Sequence, residues 1–190
     1  MAKKFMTYEA LVDDYEVLRS LGIGGVLIDD DGNEIEASKG LICVKDTLMD
    51  SKAYKGKKNP NTWNMKAASS ADTDVYFCAP QITDTGTNTN GNMAYFGANT
   101  LCITVPAGYP VRFEKAVPGF TYNLGSDNFS TAPDLKNGKK YATINKGLLV
   151  ATDVKPVSGV YFEITKAVNF TEGTRAAGSG YTVEFKRAYA

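Results

Sequence analysis

The sequence predicts a mainly β protein, an antiparallel β-sandwich or barrel with a short N-terminal helix and a hairpin in front of it. From about residue 100 to the end, short segments of alternating apolar and polar residues follow one another with turn residues between them. The last segment shows the pattern most clearly, because every second residue is apolar (Tyr181, Val183, Phe185). This period of two is typical of a half-buried strand.

The N-terminal region, residues 1–50, is predicted to hold the helix and the hairpin. Apolar residues recur at steps of three and four between Tyr8 and Leu18, with Thr7 suited to cap the helix and Gly22 to end it. Residues 29–33 contain an Asp-Gly pair between two apolar segments, which predicts a tight hairpin turn.

Two further regions complete the predicted organisation of what we expect to be one compact domain. Residues 51–73 are rich in Lys, Asn, Ser and Gly, and we expect an irregular segment there. Residues 74–190 form the β-rich body, with an exposed polar loop at 83–92 and strands that follow one another to the end of the chain.

The composition excludes most catalytic and metal chemistry. The 190 residues contain no histidine, which rules out Ser-His-Asp and Cys-His catalysis and every zinc site that uses histidine. The acidic run at residues 29–34 lacks the spacing of a calcium loop, since Glu34 stands where that loop needs glycine. We therefore expect no enzyme activity, no catalytic residue, no cofactor and no metal site.

The expected location and partners follow from charge and hydropathy. The formal net charge is zero, which argues against a protein dedicated to nucleic acids. The N-terminus lacks the apolar segment of a secretion signal, and no apolar run is long enough to span a membrane. We expect a protein made in the host cytoplasm, not secreted, with its three cysteines as buried thiols (Cys43, Cys78, Cys102).

The irregular segments are the candidates for contact with a partner. In residues 51–73, lysines surround two large apolar side chains, and the segment is either a solvated flexible loop or an arm that becomes ordered on an acidic surface of a partner. In residues 83–92 the residues are small and polar, and the run is long for a simple connection. The predicted contact residues are Lys55, Lys57, Lys58, Trp63, Met65, Asn88 and Asn90.

Residues 135–150, residues 160–164 and the final strand resemble the small β-rich virion proteins of tailed bacteriophages, above all the head decoration or cement proteins. The resemblance covers roughly residues 100–190 and assigns no functional residue. It implies a non-enzymatic virion protein that binds and stabilises a capsid. Its partners would be the major capsid protein or other virion subunits, in a homo-oligomeric or lattice-bound setting.

Three other functions remain open from the sequence. A head–tail joining or tail component would share the same style of β-domain. A carbohydrate-binding or adhesion module would need an exposed group of aromatic side chains. A small hydrolase would need two carboxylates roughly 5–10 Å apart in a pocket.

Overall fold

The computed structural model describes residues 5–11, 22–49, 62–80, 102–172 and 174–188. Most of these residues lie in strands, 60% against 4% in helical turns, which confirms the prediction of a mainly β fold. Two short 3₁₀ turns lie at Ser126–Asn128 and Leu135–Asn137. The strands are β1 Tyr8–Leu11, β2 Gly22–Leu27, β3 Ala37–Ser38, β4 Ile42–Leu48, β5 Thr62–Ala67, β6 Tyr76–Cys78, β7 Thr104–Val105, β8 Val111–Lys115, β9 Thr121–Gly125, β10 Phe129–Thr131, β11 Tyr141–Asn145, β12 Leu148–Thr152, β13 Gly159–Glu172 and β14 Arg175–Ala188.

Five strands close into a small barrel in the order β2-β5-β4-β6-β8. Strands β2 and β5 run parallel, and the other neighbours are antiparallel. Alternate residues of each strand point inward and fill the barrel with apolar side chains, as the period of two requires. This barrel core includes Leu27, Cys43, Met65, Tyr76, Cys78, Val111 and Phe113, and the short β3–β7 ribbon adds Ala37 and Val105.

The remaining strands form a seven-stranded sheet in the order β1-β9-β14-β13-β11-β12-β10. Strand β10 runs parallel to β12, and all other neighbours in the sheet are antiparallel. Strands β13 and β14 have 14 residues each and pair along almost their whole length. The sheet therefore has one long central hairpin with shorter strands on both sides of it.

The sheet packs against the outside of the barrel. On β4 and β6 the residues that alternate with the barrel interior, such as Ile42 and Phe77, belong to a second core shared with the sheet. Phe77 lies at its centre, with ring centroids 4.7 Å from both Tyr8 and Tyr122 and 5.9 Å from Phe162. These aromatic contacts join barrel and sheet in one continuous hydrophobic cluster.

One buried polar network crosses the same interface. The Tyr8 hydroxyl donates to Glu114 Oε2 at 2.9 Å, and Arg112 Nε donates to Glu114 Oε1 at 2.7 Å. Tyr8 lies on the edge strand of the sheet, whereas Glu114 and Arg112 lie on β8 of the barrel. Burial, reinforced by the Glu114 charge, raises the pKa of Tyr8 far above its usual value.

The N-terminal helix is not shown by the structure. The segment Tyr8–Leu11, expected to begin the helix, is strand β1 and pairs with residues 121–124 of β9. Pairing with β9 and the stacking of Tyr8 in the aromatic cluster outweigh the local helical spacing, because tertiary burial overrides weak propensity. The rest of the predicted helix, residues 12–21, lies outside the described residues.

The two other N-terminal predictions are correct only in part. A turn does form at residues 29–33, closed by a bridge between Ile28 and Glu34. After this bridge the chain moves away from β2, and the next strand, β3, pairs with β7 instead. Residues 50–61 lie outside the described residues, while Thr62–Ala67, expected to be irregular, forms barrel strand β5. Apolar side chains at alternate positions of that segment fill the barrel, which is why it becomes a strand.

Candidate partner-contact surfaces

Trp63 lies at one end of the barrel, half-buried at the start of β5. Lys45 Nζ sits 4.8 Å from the Trp63 ring centroid and 5.1 Å from that of Tyr76, so two rings share one cation. Leu48, on the neighbouring strand and in register with Trp63, is 51% exposed. This end of the barrel thus combines an exposed apolar side chain with a cation held over aromatic rings.

Met65 is not a contact residue, although the sequence suggested it as an anchor beside Trp63. It is fully buried in the barrel core, two residues along β5 from Trp63 and on the same inward-facing side. A side chain at this depth cannot reach a partner unless the barrel opens. The sequence could not separate the two residues, because only the closure of the barrel decides how deep each one lies.

The described strands nearest in sequence to the predicted contact segments point to opposite ends of the barrel. Strand directions place the end of β4 and the start of β5, which flank residues 50–61, at the Trp63 end. The end of β6, which leads toward residues 81–101, lies at the other end because β6 runs antiparallel to β4. The predicted contacts Lys55, Lys57, Lys58, Asn88 and Asn90 lie outside the described residues.

The β13–β14 hairpin supplies a surface that the sequence did not reveal. Strand β13 pairs with β11 only at Phe162 and Glu163, and β14 pairs with β9 only at residues 180–184. Beyond Ile164, β13 pairs only with β14 among the described residues, and before Gly180, β14 pairs only with β13, so the outer part of the hairpin extends past its neighbours. The sequence does not show it because residues 171–180 are rich in glycine and alanine, which hide the strand period there.

The base of this hairpin extension is anchored by the N-terminal segment. Phe5 lies against Gly178 and Phe170, with a ring-centroid distance of 5.4 Å to Phe170. A Cβ atom at Gly178 would lie 2.6 Å from the Phe5 ring, so only glycine leaves room for it. Exposed small and polar side chains cover the rest of the extension: Thr165, Lys166, Ala167, Asn169, Thr171, Thr174, Ala176 and Ser179.

A groove lies at the other end of the same hairpin. The loop at residues 153–158 joins β12 to β13 and carries two strongly exposed apolar side chains, Val154 at 68% and Val157 at 83% exposure. Beside it is an open cavity of about 460 Å³, which we call the basic groove. Its lining consists of Lys155, Pro156, Val157, Tyr161, Arg187 and Ala188.

The acidic turn, defined here as residues 29–36, has a rigid internal structure. The Asp29 carboxylate accepts hydrogen bonds from the backbone N–H groups of Asp31 and Asn33 and from the Asn33 side-chain amide. These bonds, led by those from Asn33, lower the pKa of Asp29. Across the described ranges, no three His, Cys, Asp or Glu side chains gather in a way that would hold a metal ion.

The described residues also give little that fits acid–base or sugar chemistry. Glu114 is the single buried carboxylate among them, and Tyr8 and Arg112 already occupy both of its oxygens. Of the large apolar side chains that are exposed in the same ranges, only Tyr109 is aromatic.

Comparisons with known proteins add no further assignment. A scan against protein-family models, a search of curated proteins and a search of solved structures each found no significant match. Within the described ranges, no helix is long and apolar enough to cross a membrane.

Proposed function

We propose that the protein is a non-enzymatic structural subunit of a bacteriophage virion that binds and stabilises a capsid, as a decoration or auxiliary capsid protein does. Its partner would be the major capsid protein or another virion subunit. The observation that supports this most directly is the hairpin extension, residues 165–179, which stands out from a β-body whose barrel and sheet share a hydrophobic core.

The extension has the properties of a contact arm. A strand with no neighbour leaves a row of backbone N–H and C=O groups unpaired, and an extended segment of another protein can add to it as a further strand. Each hydrogen bond gained this way contributes about 0.5–1.5 kcal/mol. Such a contact is weak alone and becomes strong when many copies bind a repeating lattice.

The body supports such an arm mechanically. The hairpin is continuous with the strands that pack on the barrel, since Ile164 and Val183 form its last buried pair before the extension begins. Phe5 then holds the base of the extension through Gly178 and Phe170. An arm held in this way loses little conformational entropy when it binds.

The test is whether the chain is a stoichiometric part of a particle and whether the arm carries its binding. Quantitative mass spectrometry of purified particles should detect the chain at a fixed ratio to the major capsid protein. Recombinant protein should also sediment with particles that have been stripped of it. Particles that lack the chain, and do not bind it when it is added back, would contradict the proposal.

Two hairpin variants separate backbone pairing from side-chain contact. In the first, an Asn-Gly turn replaces residues 169–179 and joins the paired residues Val168 and Gly180. The matched control keeps the full length and carries Asn169→Ala with Thr171→Ala. We expect the shortened variant to lose sedimentation with particles and the control to keep it. Urea unfolding of both variants checks that the body remains folded.

A further inference from the structure

The basic groove has cations that no described residue neutralises. Neither Lys155 nor Arg187 takes part in a salt bridge with a described residue. The one acidic residue of the neighbouring loop, Asp153, does not line the cavity. Pro156, Val157 and Tyr161 line the cavity together with the two cations. The surface therefore fits a ligand that combines carboxylates with an apolar side chain.

The acidic turn of the same chain has the complementary chemistry. It carries five carboxylates and no basic residue, and residues 30–36 are all exposed. Ile35 stands among them with 37% exposure, although large aliphatic side chains are usually buried. None of these carboxylates forms a salt bridge with a described residue. The basic groove and the acidic turn thus each combine charged groups with apolar side chains, and their charges have opposite signs.

The turn is also held in a fixed shape before any binding. Its base is closed by the bridge between Ile28 and Glu34 and by the Ile35 N–H, which donates to Leu27 O at 3.0 Å. The Asp29 carboxylate fixes the tip through Asp31 and Asn33. A rigid turn pays little entropy on docking, so it is suited to insertion into a groove.

One copy cannot bring the two features together, because strand β8 separates them. Glu34 lies over Gly108, just before the start of β8, where an added Cβ would meet its carboxylate. At the other end of β8, the Arg187 charge acts on Lys115, the last residue of the strand. Five strand residues span about 13 Å. The turn and the groove therefore face different parts of the molecule.

We propose that the acidic turn of one copy of this chain docks in the basic groove of a second copy. Ile35 then packs on Val157 and Pro156, and the carboxylates lie beside Lys155 and Arg187. Because turn and groove are different surfaces, the contact is head-to-tail and leads to rings or open chains of copies. This inference does not depend on the virion assignment, since it concerns only contacts between copies of the chain.

A turn seated in one groove buries less area than a permanent interface, so the association should be weak and sensitive to salt. Sedimentation velocity under reducing conditions, over a wide concentration range, measures it directly. We expect concentration-dependent association at low ionic strength, with a dissociation constant that rises at least about 10-fold between 0.05 and 0.5 M salt. A chain that stays monomeric throughout overturns the proposal.

Charge exchange tests the pairing itself. The groove variant carries Lys155→Glu with Arg187→Glu, and the turn variant carries Asp30→Lys with Asp31→Lys, which leaves Asp29 and Glu34 in place. Each variant alone should stay monomeric, while an equimolar mixture should associate again in pairs, because the unchanged basic groove of the turn variant then meets the unchanged acidic turn of the groove variant. Failure of the mixture to associate overturns the proposal, as does association of either variant alone.

A matched control and an uncharged variant complete the design. Lys136→Glu with Lys139→Glu makes the same change of net charge at exposed positions that do not line the groove, and we expect normal association. Val157→Ser removes apolar contact without changing charge, and we expect a weaker association at every salt concentration. A further outcome would also overturn the proposal: the parent chain binds an added acidic peptide, the groove variant does not, and the parent chain never self-associates. The groove would then bind another protein rather than a second copy.

Discussion

Replacing Tyr8 by phenylalanine should destabilise the protein although the aromatic ring is kept. The change removes one hydroxyl, which donates to Glu114 Oε2 at 2.9 Å in the interface between sheet and barrel. Phenylalanine keeps the stacking on Phe77 and Tyr122, so the change creates no large cavity. What is lost is one buried hydrogen bond to a charged acceptor.

The expected size follows from the state in which Glu114 is left. A hydrogen bond to a charged group contributes about 1.5–3 kcal/mol to stability. Arg112 continues to donate to the other carboxylate oxygen, so the charge is not left without a partner. We therefore expect a loss of about 2 kcal/mol, which corresponds to a decrease in Tm of about 4–8 °C for a chain of this size.

Urea unfolding at neutral pH measures the loss, with Tyr122→Phe as the matched control. The Tyr122 hydroxyl accepts a hydrogen bond from the Val117 N–H at 3.1 Å, which is a neutral pair, so its removal should cost about 0.5–1.5 kcal/mol. In a background with Glu114→Gln, the effect of Tyr8→Phe should shrink because the acceptor is no longer charged. A loss for Tyr8→Phe below about 0.5 kcal/mol would refute the stabilising role of the network.

Three further predictions concern packing, pH and thiol reactivity. Gly25→Ala should lower the free energy of unfolding in urea by about 1–3 kcal/mol, because the added Cβ would lie 2.6 Å from Met65 Cγ. The control Gly24→Ala should not destabilise the protein, because the nearest atom to its added Cβ would be 3.9 Å away. Burial raises the pKa of Tyr122 to about 12 from a usual value of 10.0. The contribution of the protonated hydroxyl to the free energy of unfolding is therefore complete below pH 10 and should fall between pH 10 and 12 by about 1.4 kcal/mol per pH unit. A free energy of unfolding that stays unchanged over that range would contradict this. A thiol reagent at neutral pH should modify half-exposed Cys102 long before Cys43 and Cys78, because burial in the barrel raises the pKa of both of those thiols. Equal modification rates for the three cysteines would count against the buried barrel core.

The sequence determined that the protein is mainly β and where most of the strands of the C-terminal part lie. Alternation of apolar and polar residues at 141–144, 148–151, 160–164 and 181–187 is a local property that survives in the folded chain, because each of these strands has one face on the core. The turn at residues 29–33 was predictable for the same reason, since the side chains of the turn itself hold it closed.

Where a pattern was ambiguous, only tertiary contacts decided the outcome. Tyr8 and Leu11 fit a helical spacing, yet β9 offers an edge to pair with and Phe77 a ring to stack on, so the segment becomes β1. The composition of residues 51–73, rich in Lys, Asn, Ser and Gly, predicts an irregular segment, but barrel closure makes Thr62–Ala67 a strand, buries Met65 completely and leaves Trp63 at the barrel end.

For the candidate contact surfaces, too, the sequence indicates residue types and the tertiary structure decides positions. Lysines, asparagines and a tryptophan mark possible contacts in the sequence, and composition alone assigns them no position in space. The hairpin extension exists because β9 and β11 end before β13 and β14 do, and the basic groove exists because residues 153–158 pass the end of β14. The sequence alone therefore determined the β-rich body, through the local period of two. The tertiary structure decided which parts of that body are exposed to a partner, because exposure depends on where neighbouring strands stop, and no local pattern records that.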